Sequence, residues 1–201
     1  MGTIYTFQNE TDLDTVADAD QFPIYDASSG RTKSCTATDI QTYIAGAATA
    51  AEIARAADVS TRLIAAGSTL SVTEALHDGK TIKLDAATGS VCTLPASSGS
   101  GARFRFVVHT IATSNSHIVK VANASDVFYG FATVLQDGGD TAVHFETASD
   151  SDTITLNRTT TGSTMKGEWI EVEDIATGVW AVRIQVARTG TEATPFSATV
   201  S

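Results

Sequence analysis

The sequence predicts a mainly β fold, a jelly-roll-like antiparallel β-sandwich carrying a small N-terminal anchor of hairpin plus short helix. Three observations predict it. From Ser68 onward, roughly ten short runs of strand-forming residues recur at eight-to-twelve-residue spacing, the pattern of a sandwich or barrel. Turn-forming clusters such as Asp78-Gly79, Ser97-Ser98-Gly99-Ser100-Gly101 and Asp137-Gly138-Gly139-Asp140 separate those runs. Several runs also alternate strictly: Trp180, Val182, Ile184 and Val186 share one face, opposite Ala181, Arg183 and Gln185.

Taken in order, residues 1–66 read as an anchor or docking segment with short helices, and residues 67–201 as the β-sandwich domain with an extended C-terminal tail. Phe22-Pro23-Ile24-Tyr25 and Arg31-Thr32-Lys33-Ser34-Cys35 flank the turn formers of 26–30, which makes a hairpin, with Pro23 placing its strand at an edge. Thr38 then reads as a helix N-cap, with Ile40, Tyr43 and Ile44 on one face. Gly46 interrupts, and an alanine-rich helix continues over 47–57 with Ile53 as its one large apolar residue. Candidate strands of the main domain are 69–72, 81–84, 91–94, 103–109, 117–121, 131–134, 141–145, 153–156, 169–173 and 180–186. The tail from Ala187 is read as extended, with Phe196 packed.

Composition excludes several classes of function. A formal net charge of -10 argues against nucleic acid and against an anionic membrane surface, since both need clustered Lys and Arg. No apolar run approaches a membrane span, and the first residues lack the basic region and apolar core of a signal peptide. Cys35 and Cys92 have no metal-ligand spacing and read as small buried hydrophobes.

Chemistry is sparse. His77, His109, His117 and His144 form no HxxxH or HExxH pattern, and no G-x-S-x-G elbow or phosphate-binding glycine motif occurs. Asp150-Ser151-Asp152 and the Asp137/Asp140 pair are loop carboxylates of the kind that hold Ca²⁺, but Asp in turns more often serves backbone hydrogen bonds. Glu171, Glu173 and Asp174 are placed on a solvated strand face, whereas glycosidase carboxylates oppose one another across a cleft. Substituting Glu171 and Glu173 is therefore expected to leave the protein intact, and loss of a hydrolytic activity there would overturn that reading. No catalytic, cofactor or metal residue is assigned, and the chain is read as no enzyme. Among the aromatics that a sugar groove would use, Trp180 reads as core. The others are Trp169, Tyr129, Phe128 and Phe131, of which the Phe128-Tyr129-Gly130-Phe131 cluster also reads as a loop tip or an interface patch.

Two stretches resemble bacteriophage virion structural proteins. The run from Phe22-Pro23-Ile24-Tyr25-Asp26 through Arg31-Thr32-Lys33 to Thr38-Asp39-Ile40 resembles a module near the N-termini of phage fibre and decoration proteins. Most of 68–200 resembles virion proteins of marine and environmental phages, through Val91-Cys92-Thr93-Leu94-Pro95, Gly99-Ser100-Gly101-Ala102-Arg103-Phe104 and Ser114-Asn115-Ser116-His117-Ile118. The same likeness runs on through Val121-Ala122-Asn123-Ala124, Gln136-Asp137-Gly138-Gly139-Asp140 and Gly190-Thr191-Glu192-Ala193-Thr194-Pro195-Phe196. The resemblance implies a homotrimer on the surface of the phage particle, docked by its N-terminal segment on the major capsid protein or another virion protein. The expected function is capsid decoration, a cement protein that stabilises the head; the alternative is a head or tail fibre whose β-domain binds host-surface glycans. Tyr5, Phe7, Phe22, Ile24 and Tyr25 are the expected capsid-docking residues, because together they would form an exposed apolar patch. Ile40, Tyr43, Ile44 and Ile53 are the expected trimer-contact residues.

Overall fold

A computed structural model describes residues 21–26, 28–36, 38–40, 42, 49, 52, 56, 61–136 and 141–200, with only the backbone of Gln21, Phe22, Ile24 and Asp26. The chain divides into two units, Met1–Asp58 and Val59–Ser201.

In the first unit, β1 (Gln21–Asp26) and β2 (Arg31–Thr36) form an antiparallel hairpin in which Asp26 faces Arg31 and Gln21 faces Thr36. Gly30, at φ +64, takes the left-handed turn position that other residues adopt at a cost. The helical turn that follows is capped by Thr36 rather than Thr38. The Thr36 hydroxyl accepts the Asp39 N–H (3.1 Å), and the Asp39 carboxylate accepts the Thr36 N–H (2.8 Å). Both orphan donors are satisfied reciprocally, as in a capping box, and these bonds hold the Asp39 carboxyl below its usual range. Thr38 lies inside the turn, where its carbonyl accepts the Thr42 hydroxyl. Thr49 and Glu52 repeat the box, the Thr49 N–H meeting the Glu52 carboxylate at 2.6 Å. The alanine-rich stretch therefore has its own start signal three residues beyond Gly46.

The second unit is a β-sandwich of a seven-stranded sheet, in the order β10-β9-β13-β12-β7-β5-β3, and a five-stranded sheet, in the order β14-β11-β8-β6-β4. Its first half winds between the layers. β3 (Leu63–Ala65), β5 (Thr81–Leu84) and β7 (Arg103–Val108) pair in parallel in the large sheet. β4 (Thr69–Ser71), β6 (Val91–Thr93) and β8 (His117–Lys120) pair in parallel in the small one. The second half folds back on this coil. β9 (Val127–Leu135) and β10 (Ala142–Glu146) form an antiparallel pair. β11 (Thr153–Leu156) runs antiparallel to β8, and the β12–β13 hairpin (Trp169–Ala176, Val179–Ala187) runs antiparallel to β7 and parallel to β9.

The sandwich expected from sequence is present, but its sheets are mixed rather than all antiparallel. Alternation reports which face a side chain occupies and is blind to strand direction, so it could not separate the two. The sandwich also begins before residue 67, because Leu63–Ala65 is its first strand. A three-residue strand is too short to show a period. The four-residue helix α1 (Glu74–His77) and the edge strand β14 (Phe196–Ser197) escape notice for the same reason.

Register turns the alternation into continuous interior rows. Across the large sheet, Ile64, Ile82, Phe106, Ile170, Ile184, Ala132 and Phe145 stand side by side. Across the small sheet, Leu70, Cys92, Val119, Ile154 and Phe196 do the same. Phe104, Phe106 and Trp180 are fully buried, and each such side chain contributes about 2–3 kcal/mol to burial. The Phe104 and Trp180 rings meet at 5.8 Å between centroids, tilted by 44°. Cys92 is a buried free thiol whose pKa burial, aided by Asp85, pushes up to about 12, as suits a core residue. Cys35, in β2, is half-buried.

Candidate functional site

Buried polar groups come first, because a fold hides charge only for a reason. Asp174 ends the regular pairing of β12 and is 1% exposed. Its carboxylate accepts the N–H groups of Ser98, Gly99 and Ser100 at 2.8–3.1 Å, and the hydroxyls of Ser98 and Ser100. Burial works against its ionisation, but these donors outweigh that and hold the carboxyl below its usual range. Asp174 thus faces inward, against the expectation that it shared the solvated face of Glu171 and Glu173, and it pins the glycine-serine loop.

The same device recurs. Glu168 accepts the N–H groups of Ser163, Thr164 and Met165, holding Ser163 at φ +63. Asp126 accepts the Ser97 N–H at 3.0 Å. Asp152 accepts the N–H groups of Thr199 (2.7 Å) and Val200 (3.0 Å) and the hydroxyl of Thr153 (2.8 Å), so its carboxylate ties the tail to β11. The Asp137/Asp140 pair lies outside the described residues.

The buried histidines are structural too. His117 Nδ1 accepts the Ser90 N–H at 2.9 Å, which leaves the proton on Nε2 to donate to the Thr110 carbonyl at 2.8 Å. Burial lowers its pKa, with the Thr110 bond and the charges of Glu168 and Asp85 opposing. His77 is buried in α1 beside Thr73. His109 and His144 are exposed. Among the described residues, no three His, Cys, Asp or Glu side chains gather where they could hold a metal ion.

Polar and aromatic side chains concentrate instead on the outer face of the seven-stranded sheet. Register sets them in rows: Tyr129–Ala181–Glu173–Arg103, then Glu146–Phe131–Arg183–Glu171–Arg105, then His144–Thr133–Gln185–Trp169–Val107. Tyr129 and Phe131 are 48% and 47% exposed, so half of each ring faces solvent. Gly130 between them sits where a Cβ would come within 1.9 Å of the Val182 carbonyl oxygen; only glycine lets β9 lie this close to β13. Phe128 points the other way and is fully buried. Of the two readings of this cluster the loop tip is corrected: it is part of strand β9, with two aromatics on its outward face.

Shallow depressions flank those rings. One of about 160 Å³ lies towards Glu171, Glu173 and Arg183, and one of about 450 Å³ towards His144, Glu146 and Thr147. A third, of about 250 Å³, opens beside Trp169, Leu135 and Met165. Trp169 is held in place: the Arg105 guanidinium lies 5.3 Å from the ring centre, and its Nε1–H donates to Gln185 Oε1 at 3.1 Å. Two ion pairs lie on this face, Arg103 with Glu173 at 2.7 Å and Arg183 with Glu171 at 3.8 Å.

The docking and trimer residues named from sequence are only partly visible. Tyr25, in β1, is 71% exposed. Phe22 and Ile24 stand in the same strand. Ile40 is half-buried in the turn capped by Thr36. Tyr5, Phe7, Tyr43, Ile44 and Ile53 lie outside the described residues. Sequence reasoning names Trp169, Tyr129 and Phe131 as candidate groove aromatics but does not join them on one face, although the alternation Tyr129, Phe131, Thr133 puts two of them side by side. Comparison of the chain with known protein families, with characterised proteins and with solved structures finds no match.

Proposed function

We propose that the chain is a non-enzymatic virion structural protein, a capsid decoration protein that binds the outside of a phage head and stabilises it. The observation that carries this reading is the β1–β2 hairpin. Among the described residues it pairs only with itself, and it presents Tyr25 to solvent. A two-stranded ribbon is marginal in water, and it gains most from a partner that adds a strand or covers its apolar side chains. The second unit supports the reading differently: its loops are fastened by buried carboxylates, which suits a part that must persist under load. The sequence resemblance supplies the partner class, the major capsid protein or another virion protein, and the homotrimer.

The test is sedimentation of undecorated phage heads with the full chain, alongside Tyr25→Asp. Decoration predicts co-sedimentation, a raised melting temperature of the heads, and at least tenfold weaker binding of Tyr25→Asp. Failure of the full chain to bind heads overturns decoration and moves the fibre reading to first place.

A further inference from the structure

We propose that the outer face of the seven-stranded sheet is a binding site for a neutral oligosaccharide, a role that stands whether or not the chain decorates heads. The site is built from Tyr129, Phe131, Trp169, Arg183, Glu171 and Glu173.

The argument begins with shape and chemistry together. The half-exposed rings of Tyr129 and Phe131, and the part of Trp169 that Arg105 leaves uncovered, offer stacking surfaces, and a pyranose ring is apolar on its C–H faces and polar at its rim. Tyr129 and Phe131 are successive outward residues of one strand, about 7 Å apart, and Trp169 lies two strands over, about 12 Å from Phe131 by strand geometry. A single sugar cannot reach all three platforms. A chain of several sugars can.

Between the platforms lie the groups that would read hydroxyls. The depression beside Tyr129 and Phe131 is lined by Glu171, Glu173 and Arg183, whose planar carboxylates and guanidinium bind paired hydroxyls in bidentate fashion. The platform and readers are held before any ligand arrives, Trp169 by Arg105 and Gln185, Glu173 by Arg103. Preorganisation of this kind lowers the entropy cost of binding.

Charge decides between ligands. The two carboxylates that line the central depression each stand beside an arginine, Glu173 beside Arg103 and Glu171 beside Arg183. At that depression an anionic ligand would have to displace a glutamate from its arginine, and a cationic one an arginine from its glutamate. A neutral polyhydroxyl ligand accepts from one and donates to the other without breaking the pair. Hence the occupant is an uncharged sugar chain rather than a nucleic acid, an acidic polysaccharide or a charged peptide.

The experiment is calorimetric titration of the full chain with neutral hexasaccharides: α- and β-linked glucose, and β-linked xylose, mannose and galactose. Glucose monomer and an alginate hexasaccharide serve as contrasts. The proposal expects binding of at least one neutral hexasaccharide, at least tenfold tighter than glucose and than alginate. Tyr129→Ala, Phe131→Ala and Trp169→Ala should each weaken that binding at least tenfold, and Leu76→Ala, an exposed apolar residue on α1, should leave it unchanged. Near-ultraviolet circular dichroism checks folding; should Trp169→Ala fail to fold, Glu173→Gln carries the same expectation, since it keeps the shape and loses the acceptor charge. No binding of any neutral hexasaccharide at millimolar concentration overturns the proposal. So does binding that these substitutions leave unchanged, or a preference for alginate. Loss of head binding in Tyr129→Ala without sugar binding in the parent would make the face a protein interface and overturn it equally.

Discussion

The loops at the rims of the sandwich and the outer face of its large sheet both carry carboxylates and use them in opposite ways. At the rims, Asp126, Asp152, Glu168 and Asp174 are buried, and each accepts backbone N–H groups of a neighbouring loop or tail. On the outer face, Glu171 and Glu173 reach towards solvent and touch arginine side chains. Stability belongs to the first set and recognition to the second. The difference teaches that counting acidic residues says little until the donor that meets each one is known.

Asp174→Ala breaks the comparison hardest. It removes a buried carboxylate that is the acceptor for three backbone N–H groups and two hydroxyls of the solvent-facing Ser98–Ser100 loop. A hydrogen bond to a charged group contributes about 1.5–3 kcal/mol, and water can replace part of the set at this exposed loop, so a net loss of about 3 kcal/mol is expected in urea unfolding. A loss under about 1 kcal/mol would show that the loop finds other acceptors and that the latch is ornamental. Asp152→Ala is expected to cost less, about 2 kcal/mol, because the tail it holds can fray without opening the core. Faster proteolysis of the tail beyond Phe196 would accompany it.

Acid separates the latches by pH. The folded pKa of Asp174 lies below its unfolded value, so the unfolded chain binds the proton more readily. Its contribution is present in full above about pH 4 and is lost as pH falls through the lower folded value. His117 behaves alike in a higher window. Its folded pKa is also depressed, so its contribution is complete above about pH 6.5 and declines as pH falls below that. Protonating Nδ1 there would end the bond from Ser90. Melting temperature measured from pH 8 to pH 2 should therefore fall in two stages. His117→Phe should flatten the upper stage and Asp174→Asn the lower; two unchanged profiles would remove both groups from the acid response.

Much of this was legible in the sequence, and the boundary of legibility is physical. Strands such as β12 and β13 announced themselves because one face is buried and the other wet, which writes a period of two into the chain. Trp180 is assigned to the interior on that ground. The pairing direction of β3 to β8 left no such trace, since parallel and antiparallel neighbours demand the same alternation. The inward position of Asp174 follows the period of two that puts Ile170 and Val172 inside, and it pairs in register with Trp180; its charge argued for solvent, and the loop donors that meet it lie some 75 residues away in sequence. Thr36 and Asp39 were readable as a capping box and Thr38 was preferred, because a threonine beside the helical face looks the same from either side. The outer-face site was half-legible. Its aromatics were noticed one at a time, and what joins them is register between strands far apart in sequence.

The outer face yields the smallest stability effect and the sharpest test of the contrast. Arg103 and Glu173 form a 2.7 Å pair whose side chains are 65% and 29% exposed. Solvent screens such a pair, and exposed pairs contribute about 0–1 kcal/mol. Glu173→Gln should accordingly change stability by no more than about 0.5 kcal/mol in urea unfolding, against about 3 kcal/mol for Asp174→Ala one residue along. A double-mutant cycle with Arg103→Met isolates the pair, and a coupling above about 1.5 kcal/mol would place Glu173 with the latches. Adjacent carboxylates on one strand, pointing to opposite faces, then differ severalfold in what the fold asks of them. The weak one remains free to exchange its arginine contact for a ligand hydroxyl, because little folding stability is lost in the exchange.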